Sequence, residues 1–223
     1  MPVVMEGRGN GPTVRYERIQ LTGLYLRGAR RSAASALAIT ETSDRLDARL
    51  ELAILAVIWS TLALEAAANQ LAEDVFSGAT LTDFDRCRKS FRKPKNVSAT
   101  VWKWHKLFTE GPKVAVALSD CVLVAAERLV QTRHMLCHYR PQDTSQKIFY
   151  EPPPPVKTAD GMYYREMWSA EMTPAKVEPA LVERELLGDK PGEHFRAAWD
   201  VFHEWELAYG GDGSNLERIA PRL

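Results

Sequence analysis

Apolar residues fall in long blocks of helical spacing through most of the first 140 positions, separated by short polar, glycine or proline breaks. The first block, about residues 14–40, sets Ile19, Leu24, Leu26, Ala33, Leu37 and Ile39 among several arginines. Thr42, Ser43 and Asp44 then form a helix start signal. The second block runs over about 44–76 and ends at Ser77-Gly78. Between Leu50 and Leu64 it is apolar nearly all round, which predicts the central, most buried helix. Thr82 is placed to cap a short helix to about Phe91, broken by Pro94, and Ser98 to cap another over 99–109 that carries Trp102 and Trp104. Gly111-Pro112 breaks the pattern again. With Pro112 at its first position, a long helix is predicted to reach about Tyr139, where Pro141 stops it.

From Gln146 to Ser169 the texture changes. Lys147-Ile-Phe-Tyr and the run from Met162 to Trp168 read as two short strands around Pro152–Pro155 and Asp160-Gly161, hence a small β-hairpin packed on the bundle. The proline run reads as a stiff spacer or as a ligand for a partner. A short helix over 179–187 and a last amphipathic helix over 191–209 follow. The last places Phe195, Trp199, Phe202 and Trp205 at helical spacing, as core or interface. The expected fold is therefore all-α: an up-and-down helical bundle with a small β-hairpin after the long helix. Residues 1–13 read as a flexible arm, 14–140 as the bundle and 141–223 as an extension packing on it. No internal repeat or second core is visible.

Composition narrows the function classes. The 223 residues are 45% hydrophobic and 26% charged, which is globular and not disordered. Twenty-nine basic side chains balance 29 acidic ones, so any polyanion must be met by a local patch. Cys87, Cys121 and Cys137 are odd in number and widely spaced, with no disulfide framework, and read as small, mostly buried residues of a reducing compartment. The glycine-rich start lacks an apolar leader core, and the apolar run Leu52–Leu64 is short for a bilayer span. The expected location is the cytoplasm, with no membrane partner.

Candidate chemistry concentrates at the end of the long helix. Glycine-rich nucleotide loops, the zinc-protease motif, the nucleophile elbow and CxxC are all absent. On a helix, Glu127, Gln131, His134 and His138 lie on one face with Arg133 beside it, while Leu118, Val122, Ala125, Leu129 and Leu136 form the core stripe. The carbonyl end of a helix favours cationic side chains there. Basic residues in this place either act on a ligand or simply cap carbonyls.

Arg133 and His138 fit an Arg-x4-6-His pattern, and Ala63-Leu64-Glu65-Ala66-Ala67-Ala68-Asn69 lies on the helix expected to precede it. In both respects residues 14–140 resemble the HEPN superfamily (higher eukaryotes and prokaryotes nucleotide-binding). The chain departs from common members in having His134 directly after the arginine and Tyr139 directly after the histidine. The resemblance implies a homodimer in which two motifs face one cleft and cleave RNA without metal or cofactor. His138 would take the ribose 2′-OH proton and Arg133 would hold the scissile phosphate. A second protomer's histidine would supply the acid, leaving 2′,3′-cyclic phosphate and 5′-OH ends. Proteins of this kind act as toxins or phage-defence effectors, often beside an antitoxin protein.

Other features extend this reading or compete with it. The stripe Thr61, Glu65, Asn69 and Glu73 either orients Arg133 and the histidines or is a wet helix edge. Arg86, Arg88, Lys89, Arg92 and Lys93 form the densest basic run, suited to RNA phosphates or to simple solvation, followed by tryptophans that read as inward-facing. His134 and His138 have metal spacing but lack an evident third ligand. The alternatives to the ribonuclease are an inactive HEPN-like module that binds RNA or protein, and a metal-dependent helical enzyme.

Overall fold

The computed structural model describes residues 5–6, 14–15, 21–41, 45–114, 116–138, 145–150, 156–164 and 174–223. Most of the expected arm lies outside them, but β1 (Met5–Glu6) pairs antiparallel with β2 (Val14–Arg15). The helices are α1 (Leu21–Ala38), α2 (Leu46–Val75), α3 (Gly78–Asp85), α4 (Ala99–Glu110) and α5 (Cys121–Cys137), then α6 (Leu181–Leu186), α7 (Lys190–Ala208) and α8 (Ser214–Ile219). The fold is all-α, a helical bundle with small antiparallel strand pairs.

As expected, α2 is the central helix, with α1, α4, α5 and α7 around it. Its buried face is mostly small: Ala53, Ala56, Ala63, Ala67, Ala68 and Ala72 are buried with Val57 and Leu64. Ala29, Ala33 and Ala36 on α1 bury the matching stripe. Small side chains on both helices let their backbones approach and convert burial into close packing. Gly28 extends the contact, because a Cβ there would sit 3.4 Å from the Trp59 ring, which also stacks on Tyr25. By length and composition α2 contains a stretch apolar enough to cross a membrane, a test that the core helix of a bundle also passes. In the bundle one face of it is core, while Leu52, Leu55, Ile58 and Leu62 are half-buried.

The aromatic positions of α7 are core as well. Phe195, Trp199 and Phe202 are buried, and Trp104 packs edge-on against Phe202 and Trp205, with centroids 5.6 and 5.8 Å apart. Because α7 packs on α1, α2 and α5, this helix from the expected extension is one of the bundle's own. Arg49, near the start of α2, bonds Gly188 just before α7, while Leu71 shares a cavity with Trp205 near the end of α7. The two helices therefore run the same way. In contrast, α5 runs against them: Cys121 at its start lies with Asp200, and Arg128 reaches Glu185.

Several boundaries differ from expectation. The long helix starts at Cys121, not Pro112. Lys113 adopts φ 59°, the Asp120 carboxylate accepts the Ala117 N–H at 2.7 Å, and turns at 111–112 and 118–119 precede the helix. Gly78 opens α3, and a 3-10 turn at Lys89–Phe91 follows, where one helix over 82–91 was expected. The single hairpin is replaced by two pairings. β3 (Lys147–Tyr150) pairs with β6 (Pro174–Glu178), and β4 (Val156–Lys157) with β5 (Tyr163–Tyr164). The turn chemistry of Thr158, Asp160 and Gly161 selects the local partner: Thr158 bonds both the Asp160 carboxylate and the Met162 carbonyl, and Gly161 takes φ 85°. Pro152–Pro155 and residues 165–168 lie outside the described residues. All three cysteines are free. Cys121 and Cys137 are exposed and Cys87 half-buried, against the expectation of buried positions.

Candidate functional site

The motif sits on the last two turns of α5. That helix is anchored through Leu123, Ala126, Leu129 and Thr132, which are buried, while Leu118, Val122, Ala125 and Leu136 of the expected stripe pack against the core half-buried. His138 is the C-cap, with φ −132° and ψ 32°, and its N–H donates to the carbonyls of His134 and Met135. Both histidines are exposed, and their rings pack 4.6 Å apart at 50°. Arg133 is half-buried and makes no ion pair among the described residues. Five residues of helix turn the chain by about 500°, so Arg133 and His138 leave the axis about 140° apart. Arg133 emerges on the side of Leu129 and Ala126, the histidines on the flank of Glu127 and Gln131. One protomer thus offers a solvent-facing imidazole pair and a guanidinium on different faces. Tyr139 lies outside the described residues.

Two turns back from His134, Glu127 is tied to the start of α4. Its carboxylate accepts the Ser98 N–H at 2.9 Å and the Ser98 hydroxyl at 2.8 Å, and its other oxygen accepts from Gln131 at 3.2 Å. The Ser98 hydroxyl also lies 3.2 Å from the Val101 N–H, which it caps. A groove of about 470 Å³ runs beside this clamp, bordered by Asn96, Val97, Leu123, Glu127 and Gln131.

The basic run touches this region through Lys93, which bonds Val97 of the groove wall. Arg86, Arg88 and Arg92 are exposed, Lys89 pairs with Asp83 at 2.7 Å, and the Lys93 ammonium donates to the Val97 carbonyl at 2.9 Å. Phe91, buried against Phe76 and Phe84, pins the run to the bundle. Of the tryptophans beyond it, Trp104 is fully buried and donates to the Leu64 carbonyl. Trp102 is half-buried and donates to the Phe91 carbonyl at 2.6 Å, with Lys106 over its ring. Their indole N–H groups hold α4 to its neighbours.

The structure does not bring Glu65 and Asn69 to the motif. The Asn69 amide oxygen accepts from Lys103 on α4 at 2.9 Å. Glu65 lies sixteen residues after Arg49, about 24 Å along α2. Arg49 shares an end of the bundle with Gly188, and α5 carries Arg133 and His138 toward that end, past Glu185. A four-residue stripe shows which residues share a face, but not which neighbour that face meets.

Two other histidines are structural. His194 is 4% exposed and bonds the Glu185 carbonyl through Nε2 at 2.7 Å. Burial pushes its pKa below the ordinary 6.5, against the raising effect of that bond. His105, held to the Val116 carbonyl at 2.9 Å, is lowered for the same first reason. Among the described residues no group of three His, Cys, Asp or Glu side chains is placed to hold a metal. Sequence reasoning missed the Ser98–Glu127 clamp, although Ser98 itself was legible as a cap. No family model, curated protein or solved structure matches the chain.

Proposed function

We propose that the chain is a metal-independent endoribonuclease of the HEPN type that works as a homodimer. The observation that carries the reading is the exposed His134–His138 pair at the end of α5, one turn beyond Gln131 of a groove lined also by Glu127 and Arg128. In this scheme His138 removes the ribose 2′-OH proton. The 2′ oxygen attacks the phosphorus, the bond to O5′ breaks, and the partner protomer's histidine protonates the leaving oxygen. Arg133 spreads its planar donors over the phosphate oxygens as charge builds up there. His134 packs on the His138 ring and limits its orientation. The 140° between Arg133 and His138 supports a shared cleft, in which one copy's arginine complements the other's histidine. Arg86, Arg88, Lys89, Arg92 and Lys93 hold the flanking RNA backbone. The reading extends to a cytoplasmic toxin or phage-defence effector with an antitoxin partner.

The test is incubation of a mixed RNA pool with the purified chain in EDTA, followed by analysis of the termini. The reading expects 5′-OH and 2′,3′-cyclic phosphate ends, and intact RNA would overturn it. A second reading, an RNA-binding module without cleavage, is favoured by Arg133 lying half-buried on the core-facing side. It expects RNA to be retained at low salt and left whole.

A further inference from the structure

The end of the bundle opposite the motif holds a second cavity, of about 450 Å³, within the range of small-molecule sites. Leu26, Leu71, Phe202 and Leu216, from four different helices, form its apolar wall. Trp205 in the last turn of α7 and Tyr209, its C-cap, border it with ring centroids 4.8 Å apart.

Its polar side chains are the neutral Thr22, Gln70, Asn215 and Tyr209 and the acidic Glu206. The Thr22 hydroxyl is buried and makes no hydrogen bond among the described residues. Glu206 is the one charged side chain of the lining, which contains no lysine, arginine or histidine. One Glu206 oxygen accepts the Leu216 N–H at 3.3 Å. Its stem lies over Gly211, where a Cβ would come within 2.7 Å of Glu206 Cγ, so the glycine is what admits the carboxylate in this position. The second oxygen has no partner among the described residues.

The Arg27 guanidinium lies against Gly23 at the cavity's edge but makes no ion pair with Glu206. A carboxylate with no cationic partner among the described residues, beside two aromatic rings and above an apolar wall, selects a cation with an apolar body. We propose that this cavity binds a small amphiphilic amine, its nitrogen against Glu206 and the Trp205–Tyr209 pair and its apolar body against Leu26, Leu71 and Leu216. A hydrogen-bonding group on that body would satisfy Thr22. The inference stands apart from the ribonuclease reading.

The experiment is an NMR titration of the full chain, followed at the Trp205 indole, with phenethylamine, 2-phenylethanol and phenylacetate as cationic, neutral and anionic probes. The amine is expected to bind about fivefold or more tightly than the alcohol, the scale of one aromatic–cation contact, and the acid weakest. Glu206→Gln keeps an oxygen for the Leu216 N–H and should reduce the amine to the alcohol's affinity. Asn215→Trp, on the exposed rim, should block both. The proposal is overturned if the amine binds no better than the alcohol, if its advantage survives in Glu206→Gln, if Asn215→Trp leaves binding intact, or if no probe binds.

Discussion

Replacing Arg49 by alanine should be among the most damaging single changes in the bundle. The residue is 7% exposed at the start of α2. One terminal nitrogen donates to the Ile39 carbonyl at 2.5 Å, the other to the Gly188 carbonyl at 2.8 Å and to Glu41 at 2.9 Å. Glu41 in turn accepts the Gly188 N–H at 2.8 Å. One guanidinium therefore fastens the turn between α1 and α2 to the turn before α7. Hydrogen bonds to a charged group contribute about 1.5–3 kcal/mol each. Two such bonds to carbonyls, less what water recovers at the exposed Gly188, give a loss of about 3–4 kcal/mol. The Glu41 ion pair adds little, because the Glu41 side chain is 43% exposed. Glu41→Gln should thus cost under about 1 kcal/mol. Arg49→Lys should fall between the two, since one ammonium lacks the fork that reaches both carbonyls. Urea unfolding of the three variants and wild type, with equal m-values, measures this order. If Arg49→Ala lies within about 0.5 kcal/mol of wild type, or no lower than Glu41→Gln, the clamp contributes nothing and the reasoning fails.

Two further predictions concern the bundle. Burial holds the His194 pKa in the fold below 6.5, the value near which the unfolded chain titrates. As pH falls below that value the unfolded state takes the proton first, so stability declines until the lowered folded pKa is passed, by no more than about 1.4 kcal/mol per pH unit for one histidine. His194→Gln, which keeps a donor for the Glu185 carbonyl, should flatten the melting temperature between pH 7 and 5, and an unchanged slope would count against this. Ser98→Ala removes the α4 cap and one partner of Glu127, and should cost about 1 kcal/mol in thermal unfolding. Glu127→Ala, which strands the Ser98 N–H as well, should cost more.

Much of the bundle was legible because its signals are local. The all-round apolar run in α2, the Ser98 cap and the aromatic spacing of α7 each report their own helix. The start of α5 was not, since Pro112 fits a helix start while the turn that precludes one depends on Lys113 backbone geometry and the Asp120 carboxylate. The strand partner of Lys147–Tyr150 was missed because Pro174–Glu178 lies over twenty residues away and is a short segment bounded by two prolines. At the site, the position of Arg133, His134 and His138 at a helix end was readable from Pro141 and the spacing. That Glu65 and Asn69 lie elsewhere was not, because it depends on how far α2 and α5 slide past each other.

The central claim is tested most directly by RNA cleavage in EDTA with wild type, His138→Ala, Arg133→Ala and Glu65→Gln, each first shown to be folded. The account predicts that the first two variants lose about 100-fold or more in rate, the scale of one general acid–base group, while Glu65→Gln cuts like wild type. An inert wild type, or a His138→Ala variant that cuts equally well, would contradict it.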